Sequence, residues 1–355
     1  MANANNFFRT NIDEMLGYSP GEQPQHERLL KLNTNENPYP PSPKVFEALA
    51  AVEPIQLIRY PDPVANKLRD AVASINHVTR DQVIIGNGSD DILTMVTRAF
   101  TDSTREAACL EPSYSLYHVL TNIQDSQMKK IELGENFELP SNILSQLDGV
   151  KLFYFTCPNA PIGNRFDKQK IREICKAFSG VVLIDEAYTD FAEDNCIDLV
   201  NEFPNVIVSR SLSKSYSLAG ARVGYGIASK NLIDGLMKVK DSYNVNVLSQ
   251  VVATEAILDQ AYFKECCDKV IQTRTNFKHE LIKRGFEVLP SETNFLFAAP
   301  PCDAKKLYDS LRNEGIIVRH FPNQRTAKYI RITIGTDEEM NYFLTTMDPL
   351  IEDIK

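Results

Sequence analysis

The chain holds no stretch of apolar residues approaching the roughly 18 that a membrane-crossing helix needs. It has no CxxC pair among its seven cysteines and no cluster among its five histidines. The first absence argues against a membrane partner. The others argue against zinc ribbons, thioredoxin-like redox chemistry and a histidine-based metal centre, so no metal is expected. Cys266 and Cys267 are adjacent, which suits neither a zinc site nor an ordinary bridge. Reduced thiols in the cytoplasm are therefore the expectation. Positive charge is also short: 38 Lys and Arg stand against 47 Asp and Glu, a formal net charge of −9. Such a surface repels phosphate backbones, so no nucleic acid is expected as a partner. Internal repeats and low-complexity tracts are missing too. Residues 1–10 contain three asparagines and no apolar core, so no secretory leader is expected.

What is present is enough chain, 355 residues with 43% hydrophobic and 24% charged, for two domains that need no disulfide or metal staple. Residues 1–31, polar and broken by Pro20, Gly21 and Pro24, read as an N-terminal arm. From 32 to 250 short apolar runs alternate with helical spacing. Strands are expected at 82–85, 107–110, 151–156, 181–184, 205–209 and 221–228, and helices at 64–75, 90–100, 114–122 and 169–178. This pattern predicts an α/β domain built on a mostly parallel sheet covered on both faces. Residues 251–355 change character, with a long charged helix at 262–284 and strands at 286–289, 295–298, 316–318 and 329–334. They read as a smaller α+β domain, and the N-terminal segment is a candidate to pack on it.

Ligands in open α/β sheets sit beyond the carboxyl ends of the strands, and several of these strands end in polar residues. Gly86-Asn87-Gly88-Ser89-Asp90 joins a strand to a helix. It is either a plain turn or a place where free helix amides, at Ser89 and Asp90, meet a phosphate. Asn159 lies between Pro158 and Pro161 at a strand exit, as part of a rigid turn or as an amide aimed at a ligand. Asp185 directly follows four apolar residues, where a carboxylate needs a cationic partner; a helix cap or a salt bridge is the bland alternative. Arg210 to Arg222 is the sharpest segment, with Ser211, Ser213, Lys214 and Arg222 within a dozen residues. The serines and Arg222 suit a phosphate. A lysine desolvated among other cations becomes nucleophilic. A solvated basic loop is the competing reading.

Together these segments resemble the fold-type I, pyridoxal 5′-phosphate (PLP)-dependent aminotransferases. Within them, Arg59-Tyr60-Pro61-Asp62-Pro63, Ser291-Glu292-Thr293-Asn294-Phe295, Gly315-Ile316-Ile317-Val318-Arg319 and Tyr329-Ile330-Arg331-Ile332-Thr333-Ile334-Gly335-Thr336 look like the histidinol-phosphate aminotransferase family. The resemblance runs from about Leu32 to near the end. It implies a seven-stranded large-domain sheet and the cofactor PLP, held by Lys214 as a Schiff base. Lys214 then shuttles a proton, and Asp185 pairs with the ring nitrogen. Asn159 and Tyr188 bond the ring hydroxyl, and Tyr114 stacks on the ring. Ser89, Asp90, Ser211, Ser213 and Arg222 hold the phosphate. Tyr60 reaches the neighbouring subunit's site, which implies a homodimer with shared active sites. Arg319 and Arg331 take the substrate anion, with Tyr18, Asn35 and Asn294 as further substrate contacts. The implied substrates are histidinol phosphate and glutamate or 2-oxoglutarate. Three positions depart from the family pattern: Ala160 and Ile162, where Asn159-Ala160-Pro161-Ile162-Gly163 replaces the usual Asn-Asn-Pro-Thr-Gly, and Ala221, where leucine is common. Aromatic aminotransferases and threonine-phosphate decarboxylases share the fold and are the rival activities. A PLP-binding DNA regulator is a more remote one, since no basic helix-turn-helix segment precedes Leu32.

Overall fold

The computed structural model describes residues 7–23 and 29–354. Residues 1–6 and 24–28 of the expected arm therefore lie outside the described residues. The strands in chain order are β1 (Leu30–Lys31), β2 (Val83–Gly86), β3 (Ala107–Glu111), β4 (Met128–Glu132), β5 (Leu152–Thr156), β6 (Val181–Asp185) and β7 (Val206–Ser211). They continue with β8 (Gly224–Ala228), β9 (Glu287–Val288), β10 (Phe295–Ala299), β11 (Ile316–Ile317), β12 (Arg319–His320) and β13 (Ile330–Thr333).

Seven strands form the large sheet in the order β2-β8-β7-β6-β5-β3-β4. Pairings from β7 through β4 are parallel, whereas β8 runs antiparallel to both β2 and β7. The central strands are apolar at successive positions because both faces are covered: every residue of β5, β6 and β7 is buried. One face carries a core that includes Val72, Phe153, Phe155, Val182 and Val208. The other carries Ile92, Met95, Tyr117, Tyr154 and Leu183. The parallel run matters for function because it delivers the ends of β5, β6 and β7 to one edge, with Thr156 opposite Asp185 and Asp185 opposite Ser209.

The second core is built on the four-stranded antiparallel sheet β12-β13-β10-β9 and on helices Gln260–Lys283, Ala304–Asn313 and Asp337–Ile354. The boundary placed at residue 250 falls in the middle of helix Val247–Leu258. Val252, Ala253, Ala256 and Ile257 of that helix bury into the large-domain core, while Val270 and Phe277 of the next helix belong to the second core. The change of unit thus comes at Asp259, because the apolar face of one helix continues past 250. Leu32, taken as the first residue of the large unit, is buried in the second core. The segment before it joins the second unit as well, through the parallel pairing of β1 with β11.

Candidate active site

At the carboxyl edge of β5, β6 and β7 the two units and the arm enclose a cavity of about 620 Å³. Asn35, Ser89, Asp90, Tyr114, Asp185, Tyr188, Ser211, Ser213, Lys214, Arg222, Arg319 and Arg331 line it, as do Tyr18 and Gly21 of the arm. Twelve positions singled out from well-separated parts of the sequence thus meet around one space.

Lys214 follows β7 and is half-buried; its Nζ donates to the carbonyl of Thr34 at 2.9 Å. Burial, helped by the like charge of Arg331, lowers its amine to about 8. About a tenth of it is therefore unprotonated and nucleophilic at pH 7, far more than at the ordinary value of 10.5. Its backbone is fixed from the other side, where Asn37 Nδ2 donates to the carbonyls of Lys214 and Ser215 at 3.0 and 3.2 Å.

Asp185 ends β6 and is buried. Burial raises its carboxyl to about 6 against the opposing hydrogen bond from Tyr117, whose hydroxyl donates to Oδ2 at 2.7 Å. Oδ1 accepts from the Ala187 N–H at 3.2 Å and from Ser209 Oγ at 3.4 Å. Among the described residues no cation pairs with it, so it is suited to a cationic ligand group. Tyr188 lies near Lys214, whose Nζ sits 6.0 Å from its ring centroid. The Tyr188 hydroxyl accepts from Asn35 Nδ2 at 2.8 Å.

The anion end is built on the start of helix Ser89–Phe100. Gly88 precedes it and no side chain caps it, which leaves first-turn amides open. Gly224 of β8 lies so close that a Cβ there would sit 2.3 Å from the Ser89 nitrogen; only glycine allows that approach. Arg222, held in the left-handed region at φ 52, places Nη2 3.1 Å from Asp90 Oδ2 and Nη1 3.5 Å from Ser213 Oγ. This cradle of free amides, serine hydroxyls and one guanidinium has the donor chemistry of a phosphate site.

A second pair of cations closes the far wall. Arg331 is enclosed by the rings of Phe295 and Phe321, with its guanidinium 5.1 and 5.3 Å from their centroids. Nη2 donates to the Asn33 carbonyl at 2.9 Å, whereas its buried Nε has no partner among the described residues. Arg319 lies over Phe321 at 5.7 Å and adds like charge. Two guanidiniums beside an open cavity, one with an unsatisfied buried N–H, form a site for an anion.

Three expected site residues do not line the cavity. Asn159 is fully buried behind the wall; Nδ2 donates to the Pro112 carbonyl at 3.0 Å and Oδ1 accepts from Ser113 Oγ at 3.2 Å. Asn294 is likewise buried, with Nδ2 donating to the Asn35 carbonyl at 2.9 Å; it supports Asn35 from behind. Tyr60 is 80% exposed and stacks on Tyr243 at 4.5 Å on the outer surface, away from this chain's cavity.

Tyr117, Ser113, Thr156 and Glu111 were not anticipated. The fold also brings His118 Nε2 within 3.1 Å of Glu111 Oε2 and 3.8 Å of Cys109 Sγ, a grouping that scattered sequence positions did not suggest.

The donor set fits PLP. An activated lysine, a buried carboxylate without a cation and an open helix start with serines and an arginine face one space of suitable size. The family model for aminotransferases of class I and II matches residues 27–347. A histidinol-phosphate aminotransferase of Geobacter sp. is 46% identical, covering 94% of this chain and 95% of the relative. Histidinol-phosphate aminotransferase 1 of Trichormus variabilis is 42% identical over 98% of this chain and 99% of its own length. The crystal structure of histidinol-phosphate aminotransferase from Sinorhizobium meliloti in complex with pyridoxal-5′-phosphate has a TM-score of 0.91 at 23% identity, covering 99% of this chain and 100% of that one. The L-threonine-O-3-phosphate decarboxylase of Porphyromonas gingivalis shares the fold at a TM-score of 0.80 and 20% identity, covering 91% and 100%. The chain belongs to the histidinol-phosphate aminotransferases, within the PLP-dependent aminotransferases of class I and II.

Proposed function

We propose that the protein transfers the amino group of L-histidinol phosphate to 2-oxoglutarate, giving imidazole-acetol phosphate and L-glutamate in histidine biosynthesis. The observation that carries this is the Arg319/Arg331 wall: both arginines line the cavity that holds Lys214, and the buried Nε–H of Arg331 has no partner among the described residues. A phosphate ester and an α-carboxylate each present paired oxygens to the arginine fork. One anion site thus serves both substrates in alternation, as ping-pong turnover requires.

PLP, when bound, supplies the electron sink that labilises the substrate's Cα–H bond. The protein's own groups do the rest. The Lys214 amine, lowered to about 8, is the covalent anchor and then the base and acid that moves a proton at its Nζ. Asp185 offers its carboxylate to the ring nitrogen; Tyr188 serves the ring hydroxyl from the cavity wall, and Asn159 serves it from behind that wall through the Nδ2 hydrogen that the Pro112 carbonyl does not take. Tyr114 flanks the ring. Ser211, Ser213, Arg222 and the Ser89 and Asp90 amides take the cofactor phosphate. Tyr18, edge-on to Tyr114 at 5.8 Å, brings the arm over the cavity and excludes water from it.

The same proposal includes a homodimer. Phe46, Ile55, Leu57, Ile58, Tyr60 and Leu248 are exposed apolar side chains on the segments around helices Pro43–Ala50, Pro54–Ile58 and Val247–Leu258. An apolar patch of this kind marks an interface, and Tyr60 within it is placed to serve a partner's site. We assign the protein to the cytoplasm, where its seven cysteines, none of them disulfide-bonded, stay reduced.

Coupled assays test the substrate assignment. Glutamate formation from histidinol phosphate and 2-oxoglutarate is expected. Release of CO₂ from threonine phosphate, or a higher kcat/KM for aromatic amino acids, would replace it.

A further inference from the structure

A line of hydroxyls that no step above uses runs from Ser113 and Thr156 on the cavity wall back to Tyr117 behind it. Tyr117 Oη donates to Asp185 Oδ2 at 2.7 Å and lies 2.7 Å from Thr156 Oγ1. Thr156 Oγ1 lies 2.9 Å from Ser113 Oγ, which reaches Asn159 Oδ1 at 3.2 Å. Tyr117, Thr156, Asn159 and Asp185 are buried and answer to one another more than to bulk water, while Ser113 is half-buried and borders the cavity. The line is set by the fold: β5 and β6 place Thr156 opposite Asp185, and Tyr117 is fixed by stacking on Tyr154 at 4.6 Å.

We propose that Tyr117, Thr156 and Ser113 form a hydroxyl relay that couples Asp185 to Asn159, so that the two ends of the cofactor ring are gripped by one hydrogen-bonded unit. This rests on the reading that Asp185 serves the ring nitrogen and Asn159 the ring hydroxyl. The coupling follows from counting protons. Four oxygen-to-oxygen links join Asp185, Tyr117, Thr156, Ser113 and Asn159, and the three hydroxyls own three protons. With Asp185 protonated there are four protons for four links, every link is made, and Asn159 Oδ1 receives the Ser113 proton. With Asp185 ionised, Tyr117 turns its proton to Oδ2 and Thr156 turns its own to Tyr117. Ser113 then has one proton for two acceptors, Thr156 and Asn159. Hydrogen-bond chains polarise along their length, so the charge at Asp185 draws that proton away from Asn159.

The other groups facing Asp185 do not substitute for the relay. Ala187 N–H and Ser209 Oγ contact only Oδ1, and Asp90 contributes like charge. Tyr117, Thr156 and Ser113 are thus positioning residues.

The test is a double-mutant cycle on PLP affinity, measured by equilibrium titration of the protein's PLP absorbance. Asp185→Asn and Asn159→Ala are combined in three backgrounds: native Thr156, Thr156→Val, and Thr156→Ser. Linked groups are expected to depart from additivity by about threefold or more in Kd in the native and Thr156→Ser backgrounds, which keep the hydroxyl. They are expected to become additive in Thr156→Val. Tyr117→Phe, which keeps the ring, is expected to give the same additivity. Additivity with native Thr156, or the same non-additivity in Thr156→Val, overturns the relay while leaving both residues as cofactor ligands. Unchanged PLP affinity in both single variants would overturn the underlying assignment of Asp185 and Asn159.

Discussion

Replacing Arg331 by methionine keeps an unbranched apolar side chain between Phe295 and Phe321 and removes the guanidinium. In the native protein Nη2 is committed to the Asn33 carbonyl, Nε has no partner among the described residues, and the charge is held among aromatic rings. A substrate anion bound there gains charge-assisted hydrogen bonds of about 1.5–3 kcal/mol each. Losing two of them, less the relief of no longer desolvating a cation, gives about 3–4 kcal/mol. That corresponds to a fall of roughly 10²–10³ in kcat/KM. The fall is expected for histidinol phosphate and for glutamate alike, measured in separate half-reactions by the change in cofactor absorbance. A second consequence is independent of substrate. Arg331 is the chief charged neighbour that depresses Lys214 below its ordinary range, burial being the larger cause. The rate at which apoprotein captures PLP follows the neutral amine, so it rises with pH through about 8 and levels off above. In Arg331→Met that midpoint moves to higher pH. Loss confined to one substrate, or an unmoved midpoint, would refute the reasoning.

Lys214→Ala is expected to abolish turnover, read as no glutamate formation above the uncatalysed rate. Asp185→Asn should sharply lower kcat while PLP still binds. The Asp185 carboxyl is raised in the fold, so the apoprotein gains stability from it below the ordinary value of 3.8 and loses it as pH rises to about 6. The loss is about 3 kcal/mol, and the urea midpoint of apo Asp185→Asn should be correspondingly flatter over that range. Glu186→Gln breaks the buried pair with Arg210, whose Nη2 lies 2.8 Å from Glu186 Oε2; a loss of about 3–5 kcal/mol is expected in equilibrium unfolding. Gly224→Ala puts a Cβ against the Ser89 nitrogen and should weaken PLP binding, measured by dialysis equilibrium, more than Gly235→Ala, where a Cβ meets nothing within 4 Å.

The large sheet was legible because its central strands are short apolar runs ending in polar residues, as in β6 with Asp185 and β7 with Ser211. Strand β4, Met128–Glu132, was not, because it is an edge strand with only Ile131 buried; two lysines and a glutamate there mask the pattern. The sequence locates the boundary only to within about ten residues of 250, because helix Val247–Leu258 is apolar on most sides and gives no sign of which core it joins. Among site residues, Asp185 was visible as a charge closing a strand, and Lys214 and Arg222 as cations in the serine-rich loop between β7 and β8. Asn159 was visible too, but its burial behind the wall depends on contacts with Pro112 and Ser113 far away in sequence. Tyr117 was hidden for the same reason: on the chain it is one more aromatic three residues after Tyr114, and only its stacking on Tyr154 of β5, next to β6, brings it to Asp185.

The most direct measurement is the absorbance of PLP-loaded protein on addition of L-histidinol phosphate with no keto acid present. Loss of the lysine-bound cofactor band, and its return on adding 2-oxoglutarate, is the result predicted. A band that histidinol phosphate leaves unchanged would contradict the substrate assignment, and a protein that binds no PLP at Lys214 would contradict the site itself.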